Sequence, residues 1–253
     1  MLVEIVNKDF LNLFHHKTMR TILEITDDGS HTLYVPEMDE HYHSTHGAIQ
    51  ESLHVYIDAG LRHCNRTEIN LLEIGFGTGL NAFLALLETE KLQKKIHYTT
   101  LELYPVSVSN AAMLNFSDII DPSRRDSFEM LHTAVWEEWV QITPFFWLKK
   151  MKMDIRDLPV TPPDEEVDLI FYDAFAPEKQ PEMWRQEIFN SLFSLSRDKA
   201  VLTTYCAKGV VRRMLQSAGF TVERLPGPPG KREMLRATKL KQRQVYHFKN
   251  QAQ

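Results

Sequence analysis

Apolar positions along the chain switch repeatedly between a two-residue and a roughly 3.6-residue period. The clearest switch lies within residues 70–87, where the apolar run Leu71-Leu72-Glu73-Ile74 leads into Gly75-Phe76-Gly77-Thr78-Gly79. Apolar residues at helical spacing follow, among them Leu80, Phe83, Leu84 and Leu87. This reads as strand, tight turn and helix. Further strands are predicted at 96–103, 145–153, 167–172 and 200–205. Helices are predicted at 106–114, 126–140 and 209–218, the last stopped by Gly219. In the 126–140 segment Phe128, Leu131, Val135, Trp136 and Trp139 form an aromatic stripe expected to face the core. Such alternation predicts a parallel sheet with covering helices.

Towards the N-terminus, residues 21–25 and 31–35 are β-prone runs joined by Thr26-Asp27-Asp28-Gly29-Ser30, the pattern of a hairpin with an Asp-Gly turn. A helix is expected at 48–59, and a proline-rich loop at 158–166. Two more strand-like runs, 221–225 and 245–249, flank a basic stretch. The expected fold is α/β, with a Rossmann-like, mostly parallel sheet and a small N-terminal β-hairpin extension. Residues 1–60 are assigned to the extension and 61–253 to the main domain.

Composition narrows this only slightly. Hydrophobic residues make up 43% and charged residues 25% of the 253, as in an ordinary globular chain. No run is long and apolar enough to span a membrane, the first ten residues carry Glu4, Lys8 and Asp9, and two cysteines, Cys64 and Cys206, suit a reducing compartment. A cytoplasmic location is expected. Net charge is −5, but residues 199–253 hold twelve Lys or Arg against Glu223 and Glu233. That asymmetry fits either a solvated basic face or a local surface for nucleic acid.

The glycine turn carries the first chemical signal. Glycine permits positive φ and lets a ligand approach main-chain N–H groups. The sixth position from Gly75 is Leu80, so the dinucleotide fingerprint fails, and no Lys-Ser/Thr pair follows Gly79, so a triphosphate loop fails too. A Gly-x-Gly-x-Gly turn preceded by Glu73 suits a cofactor without phosphates, of which S-adenosyl-L-methionine is one. A turn serving strand-helix packing alone is the other reading.

Ligands in open parallel sheets bind beyond the carboxyl ends of the strands. Three later strand ends are acidic: Glu102, Asp154 and Asp173. Glu102 is placed to accept ribose hydroxyls, and Asp154 to accept from an adenine amino group beside Met153. Each alone also fits a helix cap or a solvated loop. Three histidines, His41, His43 and His46, lack the spacing of a zinc helix and have no cysteine nearby, so no metal is assigned and a substrate-facing loop is preferred.

The segment Asp173-Ala174-Phe175-Ala176-Pro177-Glu178-Lys179-Gln180-Pro181-Glu182-Met183-Trp184 resembles the methyltransferase domain of the MnmC family. So do residues 72–81, 203–213 and 218–220, and Lys231-Arg232-Glu233-Met234-Leu235. The resemblance implies a class I S-adenosylmethionine-dependent methyltransferase that methylates the amine of a 5-aminomethyl group on the wobble uridine of tRNA. It implies Glu73, Gly75, Phe76, Gly77, Thr78, Gly79, Asn81, Glu102, Asp154 and Asp173 at the cofactor. Asp173 is the expected catalytic residue, with the methionine ammonium as its alternative partner. Tyr172, Phe175 and Pro177 are expected to shape the acceptor pocket. Arg212, Arg213, Lys231 and Arg232 are expected to meet phosphates around the anticodon loop. Pro228 and Pro229 depart from the family's glycine- and lysine-rich approach. No second glycine fingerprint or oxidase domain follows, so a separate oxidase partner is expected. Methylation of a small-molecule or protein amine and a non-catalytic RNA-binding role are the alternatives.

Overall fold

The computed structural model describes residues 19–158 and 166–240; the expected strand at 245–249 and most of the 158–166 loop lie outside them. Strands β1 (Ile22–Ile25) and β2 (His31–Val35) pair antiparallel, and β3 (Glu40–His41) adds to β2, making a three-stranded sheet. The intervening turn is closed by Asp28, whose Oδ1 accepts from the Thr26 hydroxyl at 2.8 Å and the Ser30 N–H at 3.1 Å. Helix α1 (Ala48–Ser52) runs directly into a π-helical segment, Leu53–Leu61.

The alternating part follows: β4 (Glu68–Ile74), α2 (Leu80–Leu92), β5 (Lys95–Leu101), α3 (Val108–Ala111), α4 (Phe116–Ile120), α5 (Arg125–Thr133), β6 (Trp139–Thr143) and β7 (Phe146–Met151). After these come β8 (Val167–Tyr172), α6 (Gln186–Leu195), β9 (Ser196–Thr204), α7 (Gly209–Ala218), β10 (Thr221–Pro226) and β11 (Glu233–Thr238). They build an eight-stranded sheet of order β10-β11-β9-β8-β4-β5-β7-β6. Its inner pairs are parallel, and β6, β10 and β11 run antiparallel to their neighbours. The order reverses at β4, so a crevice opens between the exits of β4 and β8.

Register brings the strand ends together. Ile74 pairs with both Leu101 and Tyr172, and Leu101 with Met151. Gly75, Glu102 and Asp173 therefore leave the sheet side by side. Strict alternation also divides the core: Ile69, Leu71, Leu169 and Phe171 pack towards α1, its π-helical continuation and α2, whereas Leu72, Ile74, Ile170 and Tyr172 pack towards α6 and α7. Among the described residues, no helix is long and apolar enough to cross a membrane.

Several expected elements change. The helix expected over 126–140 ends at Thr133, because Ala134 is extended and Glu137 has φ +68°. The stretch beyond becomes β6, an edge strand paired antiparallel with β7. Its Trp-Val-Gln-Ile-Thr alternation fits a strand, and the open edge of β7 supplies ladder partners that a lone helix end lacks. The stripe is core only as far as Leu131: Val135 and Trp139 are exposed. The helix over 106–114 shrinks to α3, and the strand over 145–153 ends at Met151. Helix α6 and strand β11 carried no prediction. Strand β11 inserts between β9 and β10, giving β10 a partner within the described chain.

Phe171 ties these layers together, with its ring centroid 5.2 Å from that of Tyr56 and 6.3 Å from that of Tyr98, and no exposed surface. Replacing it by Ala removes that buried ring and is expected to cost about 3–5 kcal/mol, read as a lower urea midpoint at unchanged slope.

Candidate active site

The turn after β4 is built from three left-handed glycines, Gly75 (φ +89°), Gly77 (+49°) and Gly79 (+72°). At Gly75 a Cβ would lie 2.7 Å from the Asp173 carbonyl oxygen, so both backbone angle and space demand glycine there. The Asp173 N–H donates to Ile74 O at 3.0 Å, and the Gly75 N–H to Leu101 O at 2.9 Å. Thr78 is gripped from two sides. Its hydroxyl shares a 2.6 Å hydrogen bond with His43 Nε2, and its carbonyl accepts from His132 Nε2 at 3.1 Å. Burial lowers both imidazoles to about 4, with the Lys150 charge adding to the fall at His132, so both rings are neutral near pH 7.

A cavity of about 1210 Å³ opens over this turn. Its floor is the row of strand exits, and its roof comes from the segment after β2, including Met38, Tyr42 and His43. Gly75, Phe76, Gly77, Thr78, Asn81, Glu102, Asp154, Asp173, Phe175 and Lys231 all line it. Glu102 accepts main-chain N–H groups from Gly77 at 3.0 Å and Tyr104 at 2.8 Å. Burial raises its carboxyl, and these bonds oppose the rise. Burial would raise Asp154 too, but its side-chain and backbone bonds from Arg156 hold it below the usual carboxylate range.

Asp173 lines the cavity beside the glycine turn. Tyr56 Oη donates to its Oδ1 at 2.6 Å, and Asn81 Nδ2 to its Oδ2 at 2.7 Å. Burial pushes this carboxyl up to about 6; Glu51 adds to the rise, while Tyr56, Asn81 and the Lys231 charge oppose it. Lys231 reaches in from the β10–β11 connection, forms an ion pair with buried Glu51, and lies 4.0 Å over the Tyr205 ring.

Other expected site residues sit elsewhere. Glu73 is fully buried beneath the cavity, and Gly79 caps α2 against His132. Tyr172 points to the opposite face of the sheet, where its hydroxyl donates to the Met183 carbonyl and its ring packs on Trp184. It supports the loop after β8 from below, helped by Trp184 Nε1, which donates to Phe175 O at 2.8 Å. Pro177 is half-buried outside the cavity lining. Arg212 is half-buried on α7, and Arg213 and Arg232 are exposed. The histidines diverge: His41 bonds Glu24 at 2.9 Å, His43 reaches Thr78, and His46 bonds Asp27 at 3.1 Å.

Tyr56, Glu51, Tyr42 and Tyr205 were not anticipated. Tyr205 directly follows β9, so the strand-end rule does find it. Tyr56 and Glu51 sit in a helical pattern that reads as core, and nothing local marks their contact with a residue more than a hundred positions away.

Residues 131–240 match a family model described as S-adenosyl-L-methionine-dependent methyltransferase. The chain is 30% identical over 227 residues to the tRNA 5-methylaminomethyl-2-thiouridine biosynthesis bifunctional protein MnmC of Cupriavidus metallidurans, covering 83% of this chain and 32% of that protein. It is 30% identical over 231 residues to the protein of the same name from an Azoarcus species, covering 85% and 35%. The chain thus spans about a third of the length of these curated relatives. The crystal structure of MNMC2 from Aquifex aeolicus superposes with a TM-score of 0.72 at 26% identity, covering 94% of this chain and 76% of that one. Residues 131–240 of this chain belong to the S-adenosyl-L-methionine-dependent methyltransferases. Spermidine synthase from Thermotoga maritima, at TM-score 0.50 and 12% identity, shares the fold alone.

The cavity suits S-adenosylmethionine, the cofactor of this methyltransferase family. The glycine cradle leaves main-chain atoms open where a Cβ would intrude, Glu102 presents a carboxylate for hydroxyl donors, and Met153 and Ile155 offer apolar walls for a purine. Gly75→Ala forces a left-handed alanine against the Asp173 carbonyl. It is expected to cost about 1–3 kcal/mol of stability and to weaken cofactor binding, measured by thermal unfolding and titration calorimetry.

Proposed function

We propose that this methyltransferase transfers a methyl group to the primary amine of a 5-aminomethyl group on the wobble uridine of tRNA. The observation that carries the proposal is the Asp173 carboxylate, held by Tyr56 and Asn81 in the cavity that opens over the glycine turn. The names of the relatives, which speak of 5-methylaminomethyl-2-thiouridine biosynthesis in tRNA, supply the acceptor. An acceptor of this kind belongs to the cytoplasm, and a separate oxidase acting on a carboxymethylaminomethyl precursor is the partner that would generate it.

Bound S-adenosylmethionine supplies an electrophilic methyl carbon. Glu102 would hold the ribose, Asp154 the adenine amino group, and the turn from Gly75 to Gly79 the remaining polar atoms. An alkyl amine with a pKa near 10 is almost wholly protonated at neutral pH, so the site must release its lone pair. Asp173, at about 6, is the weaker base by roughly four pK units, a gap of about 5–6 kcal/mol. Positioning can supply roughly 7–11 kcal/mol, enough to offset it. Asp173 therefore orients the amine and receives the proton whose departure frees the lone pair; the new N–C bond would form at the expense of the sulfur–methyl bond of the bound cofactor, which would leave as the neutral thioether. Phe175, packed edge-on against Tyr42 at 5.0 Å, bounds the acceptor side.

Arg213 and Arg232 are free to meet phosphates outside the cavity. Lys231 serves the cavity instead, since Glu51 and Tyr205 hold its ammonium.

Asp173→Asn is expected to abolish methyl transfer while leaving the cofactor bound. In the wild type, kcat/KM is expected to fall as pH drops through about 6, where Asp173 takes up a proton. Tyr56→Phe removes a bond that opposes the rise, so this limb should move to higher pH; an unmoved limb would detach Asp173 from the profile. The acceptor is tested by incubation with cofactor and tRNA from a methylation-deficient strain, followed by nucleoside mass spectrometry. One added methyl on the wobble uridine is expected, and none would defeat the assignment.

A further inference from the structure

Beneath the cavity, five buried polar atoms lack a hydrogen bond of ordinary geometry: both carboxyl oxygens of Glu73, Asn81 Oδ1, Tyr98 Oη and Thr100 Oγ1. Glu73, Tyr98 and Thr100 have no exposed surface, and Asn81 has 3%. They belong together. Glu73 pairs with Thr100 across β4 and β5, and Thr100, Tyr98 and Asn81 all act on its carboxyl as hydrogen-bonding neighbours.

The titratable groups that face Glu73 are Tyr98 from β5 and Asp173 from the exit of β8; Thr100 and Asn81 complete its surroundings, and no cation is among them. A carboxylate so placed has no counter-charge among the described residues that act on it, and a buried group of this kind neutralises rather than remain ionised. Asn81 connects it to the reaction. Its Nδ2 donates to Asp173 Oδ2 at 2.7 Å, an amide orientation assigned from the need of that carboxylate for a donor.

We propose that Glu73 is a positioning residue held as the neutral acid, which leaves the Asn81 amide to Asp173 and would draw that amide away if it ionised. This differs from the expectation that Glu73 touches the cofactor, and its absence from the cavity lining agrees. Burial pushes the Glu73 carboxyl up to about 8, in keeping with a neutral group at pH 7. The inference rests on the reading in which Asp173 meets the acceptor amine.

Infrared spectroscopy of the full chain tests it. At pH 7 the wild type minus Glu73→Gln difference spectrum is expected to show a carboxylic-acid carbonyl band, which fades in the wild type as pH rises through about 8. In parallel, the ratio of wild-type to E73Q kcat, measured with tRNA bearing the aminomethyl group, is expected to fall about tenfold between pH 7 and pH 9, as one proton is lost near pH 8. The ratio cancels the titration of the amine itself. In an Asn81→Ala background the same comparison should be flat, because no amide remains to be drawn away.

Absence of the acid band at pH 7 overturns the proposal. So does a flat ratio accompanied by a tenfold loss of cofactor affinity in E73Q, which would make Glu73 an anionic cofactor ligand. Should E73Q fail to fold, the wild-type infrared titration decides alone. A chain that methylates no tRNA defeats the acceptor assignment, and the infrared titration still decides the state of Glu73.

Discussion

The site depends on how tightly the exits of β4 and β8 are pressed together. Ile74 pairs with Tyr172, the Asp173 N–H donates to Ile74 O at 3.0 Å, and a Cβ on Gly75 would collide with the Asp173 carbonyl. Parallel pairing at the point where strand order reverses leaves a crevice, and this close approach determines its width. One step sideways, β5 delivers Glu102, whose carboxylate accepts from Gly77 and so fixes the turn from the other flank. The turn after β4 and the loop after β8 are thereby parts of one seam.

Around this seam the electrostatics are managed by burial more than by pairing. Glu51, Glu73, Glu102 and Asp173 crowd one region, with Lys231 as its main cation. Carboxylates crowded into a low-dielectric interior oppose one another's ionisation, and here their environments differ. Glu51 has Lys231, Glu102 has main-chain N–H groups, and Asp173 has two side-chain donors. Glu73 has only the poorly aligned neighbours Thr100, Tyr98 and Asn81, with no cation among the groups that act on it.

What was legible in the sequence follows from the same physics. Residues after parallel strands could be located because strand and helix periods mark where each strand ends, and Gly75, Glu102, Asp154 and Asp173 do converge on one cavity. Side-chain direction was legible only where alternation was applied strictly. Tyr172 is one residue before Asp173 and therefore faces the other core, although its proximity in sequence suggested the acceptor pocket. The 126–140 stripe misled because Trp136 and Trp139 continue a helical spacing that β-pairing with β7 overrides. Contacts made across long separations, Tyr56 and Asn81 with Asp173 or His43 with Thr78, left no local mark.

The small N-terminal sheet looks like an appendage in sequence, yet His43 connects it to Thr78 in the glycine turn and Tyr42 to Phe175 after β8. His43 is neutral because it is buried, so its bond to Thr78 does not switch on or off between pH 6 and 8, and the cofactor loop stays gripped where Asp173 titrates. Separating a constant clamp from a titrating acid has a chemical use. Under the proposed function the acceptor amine would be caught by a carboxylate that changes state near neutrality, while the glycine turn beside it would not move with that change. Lys231 and Glu51 extend this logic to the far wall, where an ion pair spans the N-terminal helix and the β10–β11 connection. Each wall of the cavity is thus joined to an element distant in sequence, and Asp173 stands beside the glycine turn where β4 and β8 leave the sheet.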